Sequence, residues 1–540
     1  MSEAAPTGAI IARVLQRAGG GPIFTLNGGH IWGLYLGARD RDIPLVDVRH
    51  EQTAGFAAEG WARITRRLGT AAVTAGPGVT NTVSPIAQAR QNDSPVLVLG
   101  GRAPASRWGM GSLQELDHVP IVSTLVKSAR TVLDPDQAYR LAVDAVRAAL
   151  SDRTGPAFLD VPLDLFLAVG ELPGDDEALI GDRGAPPDPR QLELAAAAIG
   201  EAQRPAIVAG NGVWWSGAER ELRRLAEAAR APVVMNGMAR GMLPPGHQLF
   251  GSRARSVALG RADLIMVAGA SLDFRLNFGQ PPLFPENARV VTIDAGDASR
   301  SRGLVLAGDV RAALAGLADA VSGGPARREW VEEVAAAGRS AVEADAALAA
   351  SAGTPVHPAR LVAEVGAFAE PDAILVGDGG DLVSFAGRLL HRDAPGLWLD
   401  PGPYGCLGAG PGYALAARLA HPDRQVILLS GDGAFGFSAM EFDTLVRHRL
   451  PVVCVVGNNG IWGLEKHPMR RMLGTTIATD LVPGTRYDRV VQDLGGYGEL
   501  VERPEDIQPA LRRAFDSGLP ACVNVLCDPE AEYPRSAVLG

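Results

Sequence analysis

The sequence predicts an α/β protein of three domains, each built on a doubly wound and mainly parallel sheet. Short apolar runs alternate with Ala-, Arg- and Leu-rich helical stretches through most of the 540 residues. That is the rhythm of parallel strands joined by crossover helices. The length itself suits about three domains of roughly 100–200 residues each.

In the first segment "GPIFTL", "IPLVDV", "TAAVTA" and "PVLVLG" read as strands, and "EQTAGFAAEGWARITRR" as a helix between two of them. Residues 168–190, "AVGELPGDDEALIGDRGAPPDPR", are acidic and rich in Gly and Pro, as a linker is. The second segment repeats the pattern with "PAIVAG", "APVVMN", "DLIMVAG" and "ARVVTI". An Ala/Glu-rich helical stretch around 327–350 leads into the third, whose strands are "AILVGDG", "QVILLS", "LPVVCVVG" and "ACVNVL". The expected domains are therefore 1–170, 185–335 and 355–540.

A net charge of −10 argues against a general nucleic-acid surface. The four cysteines, Cys406, Cys454, Cys522 and Cys527, show no metal-ligand spacing and read as small hydrophobes in a reducing compartment. The first residues, "MSEAAPTGAIIARVLQRAGG", lack the basic-then-apolar pattern of a signal peptide. No stretch approaches the ~18–20 uninterrupted apolar residues of a membrane span. The expectation is a cytoplasmic protein without a membrane partner.

One stretch raises a chemical question. In "VILLSGDGAFGFS", residues 426–438, Asp432 stands between two glycines where an apolar run ends. A carboxylate there is costly to desolvate unless a cation meets it. The helix "SAMEFDTLVRHR" follows, then the strand "LPVVCVVG", which ends in "NNGIW", residues 458–462. A strand–helix–strand unit carries Asp432 and Asn459 to strand carboxyl ends, where open α/β sheets place ligands. A carboxylate, an amide oxygen and a backbone carbonyl suit Mg²⁺, which completes its octahedron with phosphate and water. The glycines admit a phosphate close to the backbone, and the following helix offers its positive end. By itself Asp-Gly is an ordinary turn former. What sets this one apart is "GDG", 24 residues, then "NN", with strand, helix and strand between.

That pattern resembles the diphosphate–magnesium signature of thiamine diphosphate enzymes. The resemblance extends along nearly the whole chain, in the order pyrimidine domain, middle domain, diphosphate domain. It implies thiamine diphosphate and Mg²⁺ as cofactors. Asp432, Asn459 and the carbonyl of Ile461 then hold the metal, and Gly431, Gly433, Ala434 and Trp462 lie along the diphosphate. Residues 43–60, "IPLVDVRHEQTAGFAAEG", place Glu51 where the family has its glutamate on the aminopyrimidine ring. A carboxylate at that ring nitrogen favours the tautomer able to take the thiazolium proton. Seen alone, Glu51 would be a helix-dipole residue.

"TAGPGVTN", residues 74–81, resembles the Gly-Pro-Gly loop beside the pyrimidine and includes Pro77. "GSLQELDHVP", 111–120, resembles the loop that brings a glutamine, here Gln114, to the reacting carbonyl. "DPGPYGCLGAGPGYALAA", 400–417, resembles the stretch that keeps the cofactor bent, with Gly405 beside it and Leu407 as the apolar wedge. In this family a site is shared between subunits, which implies a homodimer or homotetramer.

Within the family the sequence resembles the acetohydroxyacid (acetolactate) synthase group, which decarboxylates pyruvate and adds the carbanion to a second 2-ketoacid. "GASLDFRLNFG", 269–279, places Arg275 on the arginine that receives the acceptor's carboxylate. A guanidinium fork suits that task, although a surface ion pair would also explain the residue.

Three departures keep other readings open. "LNGGHIWG", 26–33, with Gly28 and Gly29 beside the cofactor, carries His30, as in benzaldehyde lyase and its relatives. "NNGIWGLEKHPM", 458–469, has Glu465 where pyruvate-decarboxylase-like enzymes carry a glutamate, and Pro468 in place of the acceptor-selecting tryptophan. "TIDAGDASRSR", 292–302, only loosely resembles the flavin-contacting stretch of synthases, which speaks against bound FAD without excluding it. Acyl-CoA-processing members bind an adenine nucleotide there. The alternatives are thus a benzaldehyde-lyase-like or 2-hydroxyacyl-CoA-lyase-like enzyme, a 2-ketoacid decarboxylase, or a non-catalytic homologue. His30 could otherwise cap the helix that follows it, and Glu465 and His467 could be solvated helix residues.

Overall fold

The computed structural model describes residues 3–151, 153–173, 179, 184–296, 302–321 and 327–534. Three parallel sheets with covering helices make up the chain, an α/β architecture. In the first, strands β2 (Ile23–Thr25), β3 (Leu45–Asp47), β4 (Gly69–Val73), β5 (Val96–Arg102), β6 (Ala129–Thr131) and β7 (Ala157–Pro162) lie in the order β3-β2-β4-β5-β7-β6. β1 (Glu3–Pro6) and β8 (Val169–Leu172) form a separate antiparallel pair.

The second sheet contains β9 (Pro205–Ala209), β10 (Val233–Met235), β11 (Leu264–Ala268), β12 (Arg289–Asp294) and β13 (Leu304–Ala307), ordered β10-β9-β11-β12-β13. The third contains β14 (Ile374–Asp378), β15 (Trp398–Leu399), β16 (Val426–Gly431), β17 (Val453–Asn458), β18 (Tyr497–Val501) and β19 (Ala521–Leu526), ordered β15-β14-β16-β17-β19-β18. Strands such as β14, β16 and β17 are buried along their whole length, which is why they read as unbroken apolar runs.

All three sheets reverse direction at the same place. The chain goes from its first strand to one neighbour and then returns to the other side, so the reversals fall between β2 and β4, β9 and β11, and β14 and β16. Loops leaving two such strands part to opposite faces and open a crevice at their carboxyl ends.

The first and third domains are joined within one chain. Helix Glu51–Thr65 lies on helix Gly410–Ala420, and glycines set the spacing. A Cβ added at Gly60 would stand 2.9 Å from the Tyr413 Cα, and one at Gly412 2.9 Å from the Phe56 Cβ. The Tyr413 hydroxyl donates to Glu59 at 2.7 Å and accepts from Gln88 at 2.7 Å and Arg63 at 3.2 Å, all fully enclosed.

Several expectations need correction. The first residues of the expected linker form β8, which alternates exposed and buried positions against β1. Linker residues 174–178 and 180–183 lie outside the described residues. The helix expected after Ala434 instead begins at Asp432 and breaks after Ser438, with a second helix over Glu441–Arg447. Edge strands β6, β15 and β18 were not anticipated, because two to five residues at a sheet border carry little periodicity. β7 was hidden by Asp160 inside its apolar run. Among the described residues, no helix is long and apolar enough to cross a membrane.

Candidate active site

At the β14/β16 reversal the side chains of Asp381, Asp432 and Asn459 converge. Asp432 is the first residue of its helix and is 3% exposed. Its carboxylate accepts the backbone N–H of Gly433 at 2.9 Å and that of Gly460 at 2.7 Å, which ties the end of β16 to the loop after β17. Burial raises its pKa to about 6, the two N–H donors pull it back, and the nearby Asp381 adds to the rise. Among the described residues no arginine, lysine or histidine pairs with Asp432.

The Asn459 amide donates to Asp381 at 3.0 Å and accepts the Ile461 N–H at 3.2 Å. The loop is pinned by a pairing with residues 479–481, through Trp462 N–H to Thr479 and Leu481 N–H to Gly460, both 2.8 Å. Neither bond uses the Ile461 carbonyl, which receives no backbone hydrogen bond among the described residues. A buried carboxylate without a cation, an amide oxygen and an orphan carbonyl are the hard donor set that a magnesium ion takes. A Cβ at Gly431 would meet nothing within 4 Å, so space is open beside that residue at the strand end. Gly433 has a different need, since a Cβ there would fall 2.4 Å from the Trp462 ring. Ala434 is buried in the same first turn.

The first domain offers a second cluster at its own reversal. His30 sits in a short 3-10 turn, Gly29–Ile31, after Gly28. It does not cap the next helix; its Nδ1 meets the Thr74 hydroxyl at 3.0 Å, from the loop after β4. The same hydroxyl lies 3.5 Å from the Gln114 Oε1. Burial lowers the His30 pKa, and the nearby His118 pushes it the same way. Gly76 has φ +58° and packs its Cα face on Gln114, itself at φ +58°. Pro77 follows as the first residue of a short helix. Glu51 opens helix Glu51–Thr65, is 9% exposed, and accepts from Asn81 at 2.9 Å.

Other expected residues lie elsewhere. Leu407 is half-buried on a turn clasped by Asp378, whose oxygens accept Gly408 N–H at 3.0 Å and Gly410 N–H at 2.8 Å. Gly405 is exposed, with φ +74°. Arg275 lines a cleft at the β9/β11 reversal with Gly210, Asn236 and Gly269, where Asp273 grips its guanidinium at 2.7–3.1 Å. Arg275 is thus engaged in an ion pair with Asp273 in this structure. Glu465 is exposed in the first turn of helix Gly463–Leu473, whereas His467, expected as a solvated alternative, is buried. Of the flavin-like stretch, residues 297–301 lie outside the described residues.

Sequence reasoning passed over Thr74, Asn81 and His118, although all three fall inside stretches it had singled out. His118 accepts the Gly76 N–H at Nε2 at 3.0 Å and meets Asp160 through Nδ1 at 3.0 Å, both side chains fully enclosed. Arg102 donates to the same Asp160 oxygen at 3.1 Å. These partners stand tens of residues apart, so only folding pairs them. Asp381 and Asp378 were missed too, and the repeated "GDG" at 377–379 was the available signal.

The chain belongs to the thiamine pyrophosphate enzyme family. Models of that family's N-terminal TPP-binding, central and C-terminal TPP-binding domains match residues 6–121, 192–317 and 378–525. Over 537 residues, 98% of this chain and 97% of the relative, it is 51% identical to the acetolactate synthase large subunit IlvG of Mycobacterium tuberculosis. A probable acetolactate synthase of Mycobacterium bovis matches to the same extent. Human 2-hydroxyacyl-CoA lyase 2 is 33% identical over 574 residues, covering 96% of this chain and 89% of that protein. The protein is thus a thiamine diphosphate-dependent enzyme similar to acetolactate synthases, with 2-hydroxyacyl-CoA lyases as more distant relatives.

Proposed function

We propose that this enzyme decarboxylates a 2-ketoacid, pyruvate in the first instance, and joins the remainder to a second 2-ketoacid, as an acetolactate synthase does. The observation that carries the proposal is the near-full-length likeness to the Mycobacterium tuberculosis large subunit. Thiamine diphosphate, when bound, supplies the electron sink that lets the ketoacid lose CO₂. Asp432, Asn459 and the Ile461 carbonyl would hold Mg²⁺ and, through it, the diphosphate, with Gly431, Gly433, Ala434 and Trp462 beside it. Glu51, steadied by Asn81, holds the proton at the pyrimidine ring nitrogen. Leu407, on the turn clasped by Asp378, supports the bent coenzyme. Gln114 and His30, joined through Thr74, orient the carbonyl and move protons on its oxygen. Arg275 takes the acceptor's carboxylate by exchanging Asp273 for it.

Strongly exposed apolar side chains border both halves of the site: Met110 and Leu113 beside Gln114, Phe437 and Met440 after Asp432. They support a homodimer or homotetramer in which one protomer's Gln114 side covers another's Asp432 side. The β9/β11 crevice, with Asp294 at the end of β12 and Arg275 nearby, is the position for FAD or an adenine nucleotide. A cytoplasmic location accords with this chemistry.

A second reading, a 2-hydroxyacyl-CoA lyase or benzaldehyde-lyase-like carboligase, is favoured by one observation: the buried His30–Thr74 contact, which leads on to the partly buried Gln114. One substrate panel separates the two, run with and without added FAD. Acetolactate formed from pyruvate alone supports the synthase. Its absence, with turnover of a 2-hydroxyacyl thioester or an acyloin, assigns the lyase reading. Release of acetaldehyde alone points to a decarboxylase in which Glu465 supplies the proton.

A further inference from the structure

The end of β14 and the turn into the next helix read Gly-Asp-Gly-Gly-Asp over residues 377–381, and Asp381, the first residue of that helix, meets the side chain of Asn459. We infer that Asp381 is a positioning residue that holds the Asn459 amide with its oxygen, rather than its nitrogen, available to the metal. The inference rests on the reading of Asp432, Asn459 and Ile461 as magnesium ligands.

A side-chain amide has one accepting end and one donating end, and only the former can bind a cation. Here the donating end gives its hydrogen to Asp381 Oδ2 at 3.0 Å, and the accepting end receives the Ile461 N–H at 3.2 Å. Reversing the amide would set its oxygen against a carboxylate and its NH₂ against an N–H, two repulsions in one move. The Ile461 N–H alone occupies one lone pair of Oδ1 and leaves the other free.

Asp381 is itself fixed. Its Oδ1 accepts the Leu382 N–H at 2.9 Å, at the start of helix Asp381–Leu389. On its other side helix Gly463–Leu473 begins so close that a Cβ at Gly463 would lie 2.3 Å from Asp381 Oδ2. A glycine there lets the carboxylate reach Asn459, and any larger residue would push it off. Outer hydrogen-bond partners of metal ligands are commonly worth about 10–100-fold in metal affinity.

The test measures Mn²⁺ binding to the full chain with thiamine diphosphate present, from the electron paramagnetic resonance signal of free Mn²⁺. Asp381→Ala is expected to weaken binding about 10–100-fold. Asp381→Asn keeps one accepting oxygen for two donors, the Asn459 amide and the Leu382 N–H, and is expected to bind between the parent and Asp381→Ala. Gly463→Ala, which favours its helix and leaves every ligand in place, should weaken binding as Asp381→Ala does, and it serves if Asp381→Ala fails to fold. Parent-like binding by Asp381→Ala overturns the inference. So does parent-like binding by Gly463→Ala, since the added methyl displaces the carboxylate from Asn459 while keeping its charge. A parent chain that binds no Mn²⁺, or an Asp432→Ala variant that binds as tightly as the parent, removes the metal reading itself and the inference with it.

Discussion

The carboxylate of Glu441 accepts the backbone N–H of His50 at 3.0 Å, joining the turn that opens the Glu51 helix to the helix that follows Asp432. The same carboxylate takes the Arg49 N–H at 3.1 Å and the Thr444 hydroxyl at 2.7 Å, and it is 3% exposed. One buried side chain thus fixes where Glu51 enters its helix.

Replacing Glu441 by Ala removes the acceptor of two part-buried backbone N–H groups, at a cost of about 0.5–1.5 kcal/mol each. Calorimetry should show a melting temperature lower by several degrees, and turnover should fall at least about tenfold as Glu51 loses its anchor. Glu441→Gln keeps one accepting oxygen and should fall between. A Glu441→Ala enzyme with parental stability and turnover would separate this contact from the site.

Glu51→Gln keeps the size of the side chain and its bond to Asn81 but cannot hold a proton. Thiamine diphosphate binding, followed by titration calorimetry, should change little, while turnover drops by about 10²–10⁴-fold. Asn81→Ala should give a smaller loss. Unchanged turnover in Glu51→Gln removes that residue from the chemistry.

His30 is neutral near pH 7, since burial lowers its pKa below the usual 6.5. A depressed histidine contributes stability that is present above pH 6.5 and lost as pH falls through the folded value. Urea unfolding of the parent should therefore weaken from pH 6.5 downward more steeply than that of His30→Gln. Turnover in His30→Gln should fall while the pyruvate KM stays nearly unchanged. Parallel stability curves would show that the ring is not buried as described.

Asp378 has the opposite sign. Complete burial raises its pKa to about 7, despite the two N–H donors from Gly408 and Gly410. Its contribution is present below the unfolded carboxyl value and lost as pH rises through about 7. At about 1.4 kcal/mol per pH unit, the penalty accumulated between pH 4 and 7 is on the order of 4 kcal/mol. Stability of the coenzyme-free Asp378→Asn variant, measured by urea titration, should lack that decline. Asp378→Ala should also loosen the Leu407 turn and weaken coenzyme binding.

Much of this was legible in the chain. The runs that became β14, β16 and β17 are apolar because both faces are covered, and that requirement is written residue by residue. The spacing from Asp432 to Asn459 announced two strand ends with a helix between, and the structure joins the two loops through Gly460. Less legible was the start of the helix at Asp432 itself, because Asp-Gly signals a turn as readily as a first helical residue. Edge strands such as Trp398–Leu399 were invisible, since two residues carry no period.

The sequence by itself determined the three sheets, their order along the chain, and the residue types that reach the strand ends, because burial and turn chemistry are local properties. The tertiary structure alone decided who meets whom: Glu441 with His50, His30 with Thr74, Asp381 with Asn459, and Arg275 with Asp273. Such pairs depend on which strands become neighbours and where the sheet reverses. Those are long-range consequences of packing that no short window of residues contains.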